Sequence, residues 1–381
     1  MTVSTTRTHH VNRVAAILLG AGAAPAMQSY LPPLVHDVCG RPLGAWVATT
    51  LHQVGVERQV VVLGKGAELV AASFAEQAAT AFGPLVCVEQ SAPRGDADAV
   101  ETALGAFPED DFEESDVLVV SAASPLITAE TLARLLDHHA QTDSVCTVLT
   151  HAAVTGGTSD VILRNRKGLV DKIIPAMAVD PANPDGVDLS EVSGGIWCFR
   201  RSLLAPALRR IQPTVHANRH GEGALLLTDI VEVLHQTGYM IETVPVAPEE
   251  ALTVQDRQDM SRVIGVLRQR IIDRSMASGV TFLDPVSAHV DVDVNLGIDV
   301  VIDSSVVLRG STTVGDGARI GPNTTLTSCA VGIGAEIIHS VGTAATVGAN
   351  ARIGPFSVLE RNAEVATGST VEPFTTVGGA S

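Results

Sequence analysis

The sequence predicts two parts of different fold class, an α/β domain with a mostly parallel sheet followed by a left-handed parallel β-helix of hexapeptide repeats. Two observations support this prediction. Up to about residue 250, short apolar runs alternate with helical patterns, which is typical of strands and helices that wind a parallel sheet. From Val290 onward, aliphatic residues recur every six positions, which is the period of a β-helix whose flat faces each take six residues.

The length of 381 residues exceeds one ordinary core, so more than one domain is expected. A helical pattern with an apolar stripe runs from Met260 to Met276 and is predicted to join the two main parts. The predicted divisions are a disordered N-terminus (1–13), an α/β domain (14–250), a linker helix (251–280) and a truncated left-handed β-helix (281–381).

Composition excludes several classes of protein. The formal net charge of −17 opposes binding to nucleic acid or to an anionic membrane. The N-terminus does not have the pattern of a signal peptide and no apolar run is long enough to span a bilayer, so a cytoplasmic protein is expected. The five cysteines are widely spaced without a C-x-x-C pair, and we interpret them as reduced, buried thiols rather than as a metal site.

The hexapeptide repeat contains fifteen aliphatic positions, with a one-residue deletion between Leu326 and Val331 and an irregular step between Ile337 and Val347. Each aliphatic side chain is expected to point inward and three hexads to close one coil, so the repeat predicts about five coils. The positions are Val290, Leu296, Ile302, Leu308, Val314, Ile320, Leu326, Val331, Ile337, Val347, Ile353, Leu359, Val365, Val371 and Val377.

The first strand of the α/β part ends in a loop of small residues. The apolar run Val14–Leu19 is short enough for a buried strand, and it is followed by Gly20-Ala-Gly-Ala-Ala24. A loop of this kind lets a ligand approach the backbone closely. The carboxyl end of the first strand of an open α/β sheet is also where such folds bind nucleotides.

The stretch from Ile17 to His36 resembles the sugar-nucleotidyltransferase signature L-A-A-G-x-G-T-R-M-x-S-x-x-P-K. The resemblance is strongest to the GlmU family, bifunctional N-acetylglucosamine-1-phosphate uridyltransferases and glucosamine-1-phosphate acetyltransferases, and it covers residues 14–378. Leu19, Ala21 and Gly22 match the glycine loop of the family. The arginine of the family falls at Ala26, however, and its lysine at Pro33.

A second segment, Gln90–Ala99, resembles the uracil-binding loop Q-x-x-x-L-G-T-x-H-A of the family. Gln90 and Gly95 match and are interpreted, with the glycine loop, as a vestigial nucleotide-binding site. Asp96 and Asp98 replace the threonine and the histidine. Two carboxylates here are expected to lie near the phosphates and to repel them.

Two further segments concern the sugar and the metal. Ser121–Ile127 resembles S-G-D-T-P-L-L, with Ala123 in place of the aspartate that holds Mg²⁺ in the family. Glu191–Gly195 resembles E-x-N-x-G, with Ser193 in place of an asparagine that binds sugar and metal. Glu191 and Ser193 are therefore candidate sugar contacts, while no metal site is predicted, since Mg²⁺ requires oxygen ligands.

The acetyltransferase site of the family is also altered. Pro355–Asn362 resembles P-F-x-x-L-R-P-G, with Glu360 at the position of the substrate-binding arginine. The chain ends at Ser381, before the coils that carry the catalytic histidine in the family. We expect the acetyltransferase activity to be absent.

Transfer of a nucleotidyl group brings two anions together, and its catalysis depends on positioning and on stabilisation by Arg, Lys and Mg²⁺. Ala26, Pro33 and Ala123 supply neither a cation nor a metal ligand. We therefore predict a pseudoenzyme without catalytic residues, metal or cofactor. Its predicted role is that of a nucleotide-sugar-binding or assembly partner in amino-sugar and cell-envelope precursor metabolism.

Two alternatives remain open. One is a divergent UDP-N-acetylglucosamine pyrophosphorylase with a rebuilt phosphate site, which would use Mg²⁺. The other is a structural trimerising protein. The expected partners are a UDP-sugar or uridine nucleotide and a trimer, formed by this chain alone or mixed with an active paralogue. Retention of Gln90 and Gly95 favours base recognition over a purely structural role.

Overall fold

The computed structural model describes residues 13–22, 24–91, 94–108, 115–154, 159–175, 190–212 and 224–378. The chain forms two compact units. The first comprises the described residues up to His36 and those from Pro42 to Asp259, and the second comprises Asp37–Arg41 and the described residues from Met260 onward. The predicted N-terminal segment, 1–13, lies outside the described residues except for Arg13.

A nine-stranded sheet forms the centre of the first unit, with seven strands in the order β11-β7-β10-β6-β1-β4-β5 and with β8 and β9 paired beside β10. Its central strand, β1, pairs in parallel with both β4 and β6, whereas β10 runs antiparallel between β6 and β7. The strands up to Pro245 are Arg13–Gly20 (β1), Asp37–Val38 (β2), Arg41–Pro42 (β3), Arg58–Leu63 (β4), Leu85–Glu89 (β5), Ser115–Ser121 (β6), Cys146–Ala152 (β7), Val161–Arg164 (β8), Val170–Ile174 (β9), Glu191–Arg200 (β10) and Ile241–Pro245 (β11). The short strands β2 and β3 pair only with each other.

Helices cover both faces of this sheet, because the side chains of β1 alternate between two apolar cores. Ala15 and Ile17 belong to one core, and Ala16 and Leu18 belong to the other. The helices are Leu43–Gln53 (α1), Ala67–Gln77 (α2), Asp96–Leu104 (α3), Ala129–Gln141 (α4), Arg201–Leu208 (α5) and Ile230–Gln236 (α6), with single helical turns at Pro25–Met27, Pro33–Val35, Ala78–Phe82 and Leu227–Asp229.

The second unit begins with a segment that the sequence assigned to the first domain. Asp37–Arg41 belongs to the second unit, where the Val292 amide donates to the Cys39 carbonyl at 2.9 Å and Arg41 pairs with Asp293 at 2.8 Å. The expected linker helix is Arg257–Ala277 (α7), which belongs to the second unit from Met260 onward. The two units are therefore not separated by a single boundary near residue 250. Long-range contacts of this kind leave no periodic signal in a sequence.

The repeat region forms three parallel sheets, as expected of a three-sided β-helix. Each strand pairs with a strand one coil later, as Ile302 does with Ile320 and Ile320 with Ile337. The sheet orders are β12-β15-β18-β21-β24-β27, β13-β16-β19-β22-β25-β28 and β14-β17-β20-β23-β26. The strands are Thr281–Phe282 (β12), His289–Val290 (β13), Asn295–Leu296 (β14), Val301–Ile302 (β15), Val307–Arg309 (β16), Thr313–Val314 (β17), Arg319–Ile320 (β18), Thr325–Thr327 (β19), Ala330–Val331 (β20), Glu336–Ile337 (β21), Val341–Thr343 (β22), Thr346–Val347 (β23), Arg352–Ile353 (β24), Val358–Leu359 (β25), Glu364–Val365 (β26), Thr370–Val371 (β27) and Thr376–Val377 (β28).

The irregular step between Ile337 and Val347 contains an inward coil position that is occupied by glycine. Gly342 pairs with Leu326 on one side and with Leu359 on the other, in the column of inward-pointing residues. An added Cβ at Gly342 would lie 3.0 Å from Leu326 Cδ2 and 3.2 Å from Cys329 Sγ. Larger neighbours therefore fill the space that an aliphatic side chain takes in the other coils.

One corner of the β-helix carries a column of rings. His339, Phe356 and Phe374 follow one another in successive coils, with ring centroids 5.6 Å and 5.0 Å apart. All three residues have positive φ, as the turns at this corner require. The Phe374 side chain is 78% exposed.

Two expectations from composition can be compared with the structure. All five cysteines are free thiols, but Cys87 is exposed and Cys39 is only half-buried, so the prediction that all are buried is wrong. Cys87 lies on β5, the last strand at its edge of the sheet, where one face is less covered. Among the described residues, no helix is long and apolar enough to cross a membrane.

The packing around Gly342 gives a prediction about stability. Gly342→Leu restores the aliphatic residue of the repeat but overfills a space that Leu326 and Cys329 already occupy. We expect the β-helix to lose about 1–3 kcal/mol of unfolding free energy, as is usual for overpacking. Calorimetry should show a lower unfolding temperature.

The matched control is Val341→Leu, which enlarges an exposed side chain on the same strand, β22. This variant should unfold close to the wild-type temperature. If the Gly342→Leu protein were more stable than the wild type, the column would have room for a larger side chain at residue 342, which would contradict the close contacts of the structure.

Candidate functional site

The candidate site lies at the carboxyl ends of β1, β4, β5 and β6, where the loops of the first unit meet. The backbone N–H of Ala122 donates to the Leu19 carbonyl at 3.0 Å, and the backbone N–H of Gln90 donates to the Leu63 carbonyl at 2.9 Å. An added Cβ at Gly64 would lie 2.7 Å from the Ala21 carbonyl oxygen, so the turn after β4 packs directly on the glycine loop. No atom of the described residues lies within 4 Å of a Cβ built on Gly22, and Gly22 is exposed.

The two positions where the resembled family has cations lie in single helical turns after this loop. Ala26 is exposed in the turn Pro25–Met27, and Pro33 begins the turn Pro33–Val35. Neither residue has a polar side chain, and proline also has no backbone N–H to donate to a phosphate.

A guanidinium lies against the first of these turns. Arg257 Nε donates to the Met27 carbonyl at 3.2 Å, and burial together with the Arg257 charge lowers the pKa of His36. The sequence did not indicate this contact, since Arg257 and Met27 lie 230 residues apart in the chain. The cation here is thus held by the loop backbone.

Both backbone polar groups of Ala123, in the loop after β6, form hydrogen bonds. Its amide donates to Ser121 Oγ at 3.2 Å, and its carbonyl accepts from the Val254 amide at 2.8 Å. Beside it, the hydroxyls of Ser124 and Thr253 are hydrogen-bonded at 2.8 Å. The segment around Thr253 therefore forms part of this edge of the site, although the sequence assigned it to the predicted linker, 251–280.

Gln90 and Asp98 form a buried pair at the start of α3. Gln90 Nε2 donates to Asp98 Oδ2 at 2.6 Å and to the Gly95 carbonyl at 3.2 Å. Asp98 Oδ1 in turn accepts two bonds from Arg94, at 2.6 Å and 3.0 Å. Both hydrogens of the Gln90 amide are therefore directed to acceptors within the protein.

Asp96 and Gly95 attach the same turn to the segment before α6. Asp96 Oδ1 accepts from the amides of Leu227 at 2.7 Å and Ala97 at 3.0 Å. The Leu225 amide donates to the Arg94 carbonyl at 2.6 Å. Gly95 has φ +114°, and a Cβ there would collide with the Leu225 carbonyl oxygen.

The sequence predicted that Asp96 and Asp98 lie near the phosphates and repel them, and the structure shows that both carboxylates have partners within the protein. Asp98 is paired with Arg94, and Asp96 accepts hydrogen bonds from two backbone amides. Both groups therefore have partners that compensate their charge or their buried oxygens. Their role in the described structure is to hold the loop in place.

Glu191 and Ser193, the candidate sugar contacts, lie on β10 and also have internal partners. Arg164 holds both carboxylate oxygens of Glu191, at 2.7 Å and 2.8 Å, and this bond raises the pKa of Arg164. Ser193 is buried, and its Oγ accepts from the Gly195 amide at 3.1 Å across a bulge in the strand. Neither side chain is without a partner.

The remaining position from the sequence, Glu360, lies in the second unit. It is exposed on the β-helix, and its amide donates to the Val377 carbonyl of the next coil at 3.0 Å. Within the described residues, no group of three or more His, Cys, Asp or Glu side chains could hold a metal ion.

The site thus has the backbone of a nucleotide-binding loop with few available charges. Lys65 is exposed in the turn between Gly64 and Gly66, while Arg94 is paired with Asp98 and Arg257 is bound to a carbonyl. The side chains at Ala26, Pro33 and Ala123 cannot neutralise the charge of a leaving pyrophosphate.

The fold and the loop define a nucleotidyltransferase-like protein with a hexapeptide β-helix, and comparisons with known proteins agree. The family model of the MobA-like NTP transferase domain matches residues 16–226. The model of the bacterial transferase hexapeptide, which spans six repeats, matches residues 293–328. The predicted fold class, an α/β nucleotidyltransferase-like domain followed by a left-handed parallel β-helix, is confirmed.

Curated relatives give the family more closely. The bifunctional protein GlmU of Geobacillus sp. (strain WCH70) is 33% identical over 352 residues, which is 92% of this chain and 72% of the relative. The bifunctional protein GlmU of Nocardia farcinica is 32% identical over 388 residues, 97% of this chain and 76% of the relative. This chain belongs to the GlmU family, and the resemblance identified from its motifs is confirmed.

The turn at Gly95 gives a second prediction. Gly95→Ala should destabilise the first unit, because the φ of +114° is strained for alanine and the Cβ would meet the Leu225 carbonyl. Backbone strain of this kind costs about 1–3 kcal/mol. Urea unfolding followed by fluorescence reports on this unit alone, since both tryptophans of the chain, Trp46 and Trp197, lie in it.

Gly22→Ala is the matched control, because a Cβ there meets no described atom within 4 Å and Gly22 does not have positive φ. This variant should unfold at nearly the wild-type urea concentration. Equal stability of the two variants would contradict the tight contact at Gly95.

Proposed function

We propose that this member of the GlmU family is a pseudoenzyme that binds a nucleotide sugar or uridine nucleotide without turning it over. It acts in the cytoplasm as a binding or assembly partner in amino-sugar and cell-envelope precursor metabolism. The observation that supports this proposal most directly is the site edge itself. Leu19, Ala21 and Gly22 of the glycine loop are retained and Gly22 is exposed, whereas Ala26, Pro33 and Ala123 offer neither a cation nor an oxygen ligand from their side chains.

The internal bonds of the neighbouring polar groups support the same proposal. Asp98, Asp96 and Glu191 each accept hydrogen bonds from described residues of the protein. A rebuilt phosphate site would require cations or metal ligands directed at the ligand. Asp96 and Asp98 instead stabilise the turn at the start of α3.

The assembly part of the proposal rests on the β-helix. Its stacked coils form three flat sheets, and an elongated prism of this kind packs readily by cyclic symmetry. We propose a trimer, formed by this chain alone or mixed with an active paralogue. Glu360, at the position of the substrate-binding arginine of the resembled acetyltransferase site, supports a role of the β-helix in assembly rather than in acetyl transfer.

The first test of this proposal concerns metal. Titration of UDP-N-acetylglucosamine into the protein should give the same affinity in EDTA as in millimolar Mg²⁺, within a factor of ten, because Ala123 has no oxygen ligand and Ser193 Oγ already accepts from Gly195. Calorimetry measures both affinities. Tightening by more than tenfold with Mg²⁺ would favour the alternative of an active, divergent pyrophosphorylase.

A second test concerns turnover. The wild type should release no pyrophosphate from UTP and N-acetylglucosamine-1-phosphate above background. The variant Ala26→Arg, Pro33→Lys, Ala123→Asp, Ser193→Asn restores the cations and the metal ligands and should show a trace of activity with Mg²⁺. Asp96 is kept because it accepts from the Leu227 amide. Single reversions should do almost nothing, since each such contact contributes about 3–4 kcal/mol and the groups act together.

The matched control adds charge away from the site, as Ala72→Arg with Ala75→Lys on the exposed side of α2. It should remain as inactive as the wild type. Wild-type turnover near an ordinary enzymatic rate of about 10 s⁻¹ would show that other residues supply the missing charges and that the protein is an enzyme.

A further inference from the structure

The Gln90 side chain is held in one orientation by its neighbours. Gln90 and Asp98 are only 7% and 6% exposed, and the Gln90 amide lies 2.6 Å from Asp98 Oδ2. A carboxylate only accepts hydrogen bonds, so the amide must turn its NH₂ group toward Asp98. The second hydrogen meets another acceptor, the Gly95 carbonyl, at 3.2 Å. Both contacts therefore fix the same orientation of the amide, with its NH₂ group toward Asp98 and Gly95.

The opposite end of the Gln90 amide is available. No described residue forms a hydrogen bond to the side-chain oxygen Oε1. This oxygen is also not fully buried. Gln90 can therefore offer a ligand an acceptor but not a donor. An amide that could turn freely would offer either.

Arg94 and the loop contacts make this arrangement rigid. Arg94 occupies Asp98 Oδ1 with two bonds, which leaves Oδ2 for Gln90. The backbone of Arg94 is bound by Leu225, and Asp96 is bound by Leu227, one residue on either side of Gly95. The carboxylate of Asp98 is thus held through one oxygen by Arg94 and through the other by Gln90.

We propose that Asp98 is a specificity-determining positioning residue, which acts through Gln90 to make this site prefer a nucleobase whose ring nitrogen carries a hydrogen. This inference rests on the proposed function, in which Gln90 contacts the base of a uridine nucleotide. Uracil carries a hydrogen on ring nitrogen N3, whereas cytosine has a lone pair there. The fixed Oε1 accepts from the first and repels the second.

The test compares UDP with CDP by calorimetry in wild type and in Asp98→Asn. The wild type should bind UDP at least tenfold more tightly than CDP. An asparagine at residue 98 can donate as well as accept, so the Gln90 amide is able to turn and the preference should fall at least threefold. Asp96→Asn is the matched control, because it makes the same change two residues away, where the side chain does not contact Gln90, and the preference should be unchanged.

The same substitution in a Gln90→Ala variant shows whether Asp98 acts by orienting Gln90 or through a general effect on the structure. In Gln90→Ala, the preference for UDP should already be reduced, and addition of Asp98→Asn should change it no further. If Asp98→Asn altered the ratio equally in the presence and absence of Gln90, the residue would act by another route and the proposal would be overturned. An unchanged ratio in Asp98→Asn alone would also overturn it.

A measurement without nucleotide distinguishes this inference from the proposed function. In ¹⁵N-labelled protein, the side-chain NH₂ protons of Gln90 should exchange with solvent more slowly in wild type than in Asp98→Asn. Slow exchange in wild type without binding of UDP or CDP would contradict the proposed function and the specificity role, while leaving the amide orientation established. Equal exchange in the two proteins would contradict the orientation itself.

Discussion

The parallel pairing of β1 with β4 and β6 is the constraint on which the first unit depends. Both faces of β1 are buried, so its register with the two neighbouring strands cannot slip without exposing an apolar side chain. That register aligns the ends of the strands, and the loops after Gly20, Leu63 and Ser121 consequently meet along one edge. The backbone of a nucleotide-binding site follows from this packing and does not require the side chains of catalysis.

Once the backbone is formed, the polar groups at the edge have two possible uses, to contact a ligand or to hold the loops. In this chain the second use predominates. Asp98 joins Arg94 to Gln90, Asp96 holds the segment before α6, and Glu191 is held by Arg164. A carboxylate that satisfies buried donors stabilises a loop, but it contributes no positive charge to a phosphate. These contacts support the proposal of a binding site without turnover.

The β-helix follows a simpler rule, because each coil contacts only the coil before and the coil after it. Deletions within a coil are tolerated where the strands keep their register, as Ile320, Ile337 and Ile353 do with spacings that differ from eighteen residues. Gly342 shows the local adjustment, since the Leu326 and Cys329 side chains occupy the volume of the missing one. The column of rings at His339, Phe356 and Phe374 arises from the same stacking.

The sequence by itself determined the fold class, the inward positions of the repeat, the family and the positions at which cations are missing, because each depends on local periodicity or on a short motif. It did not determine which partners the replacement residues take. Asp98 appeared to be a charge directed at phosphate. Arg94 lies only four residues before it in the chain, but the bond from Gln90 at the end of β5 depends on how the loop before α3 folds back. Likewise, Arg257 reaches Met27, and Asp37–Arg41 joins the second unit, through contacts between residues far apart in the chain. Such contacts are decided by the packing of whole elements, for which a single sequence carries no periodic signal.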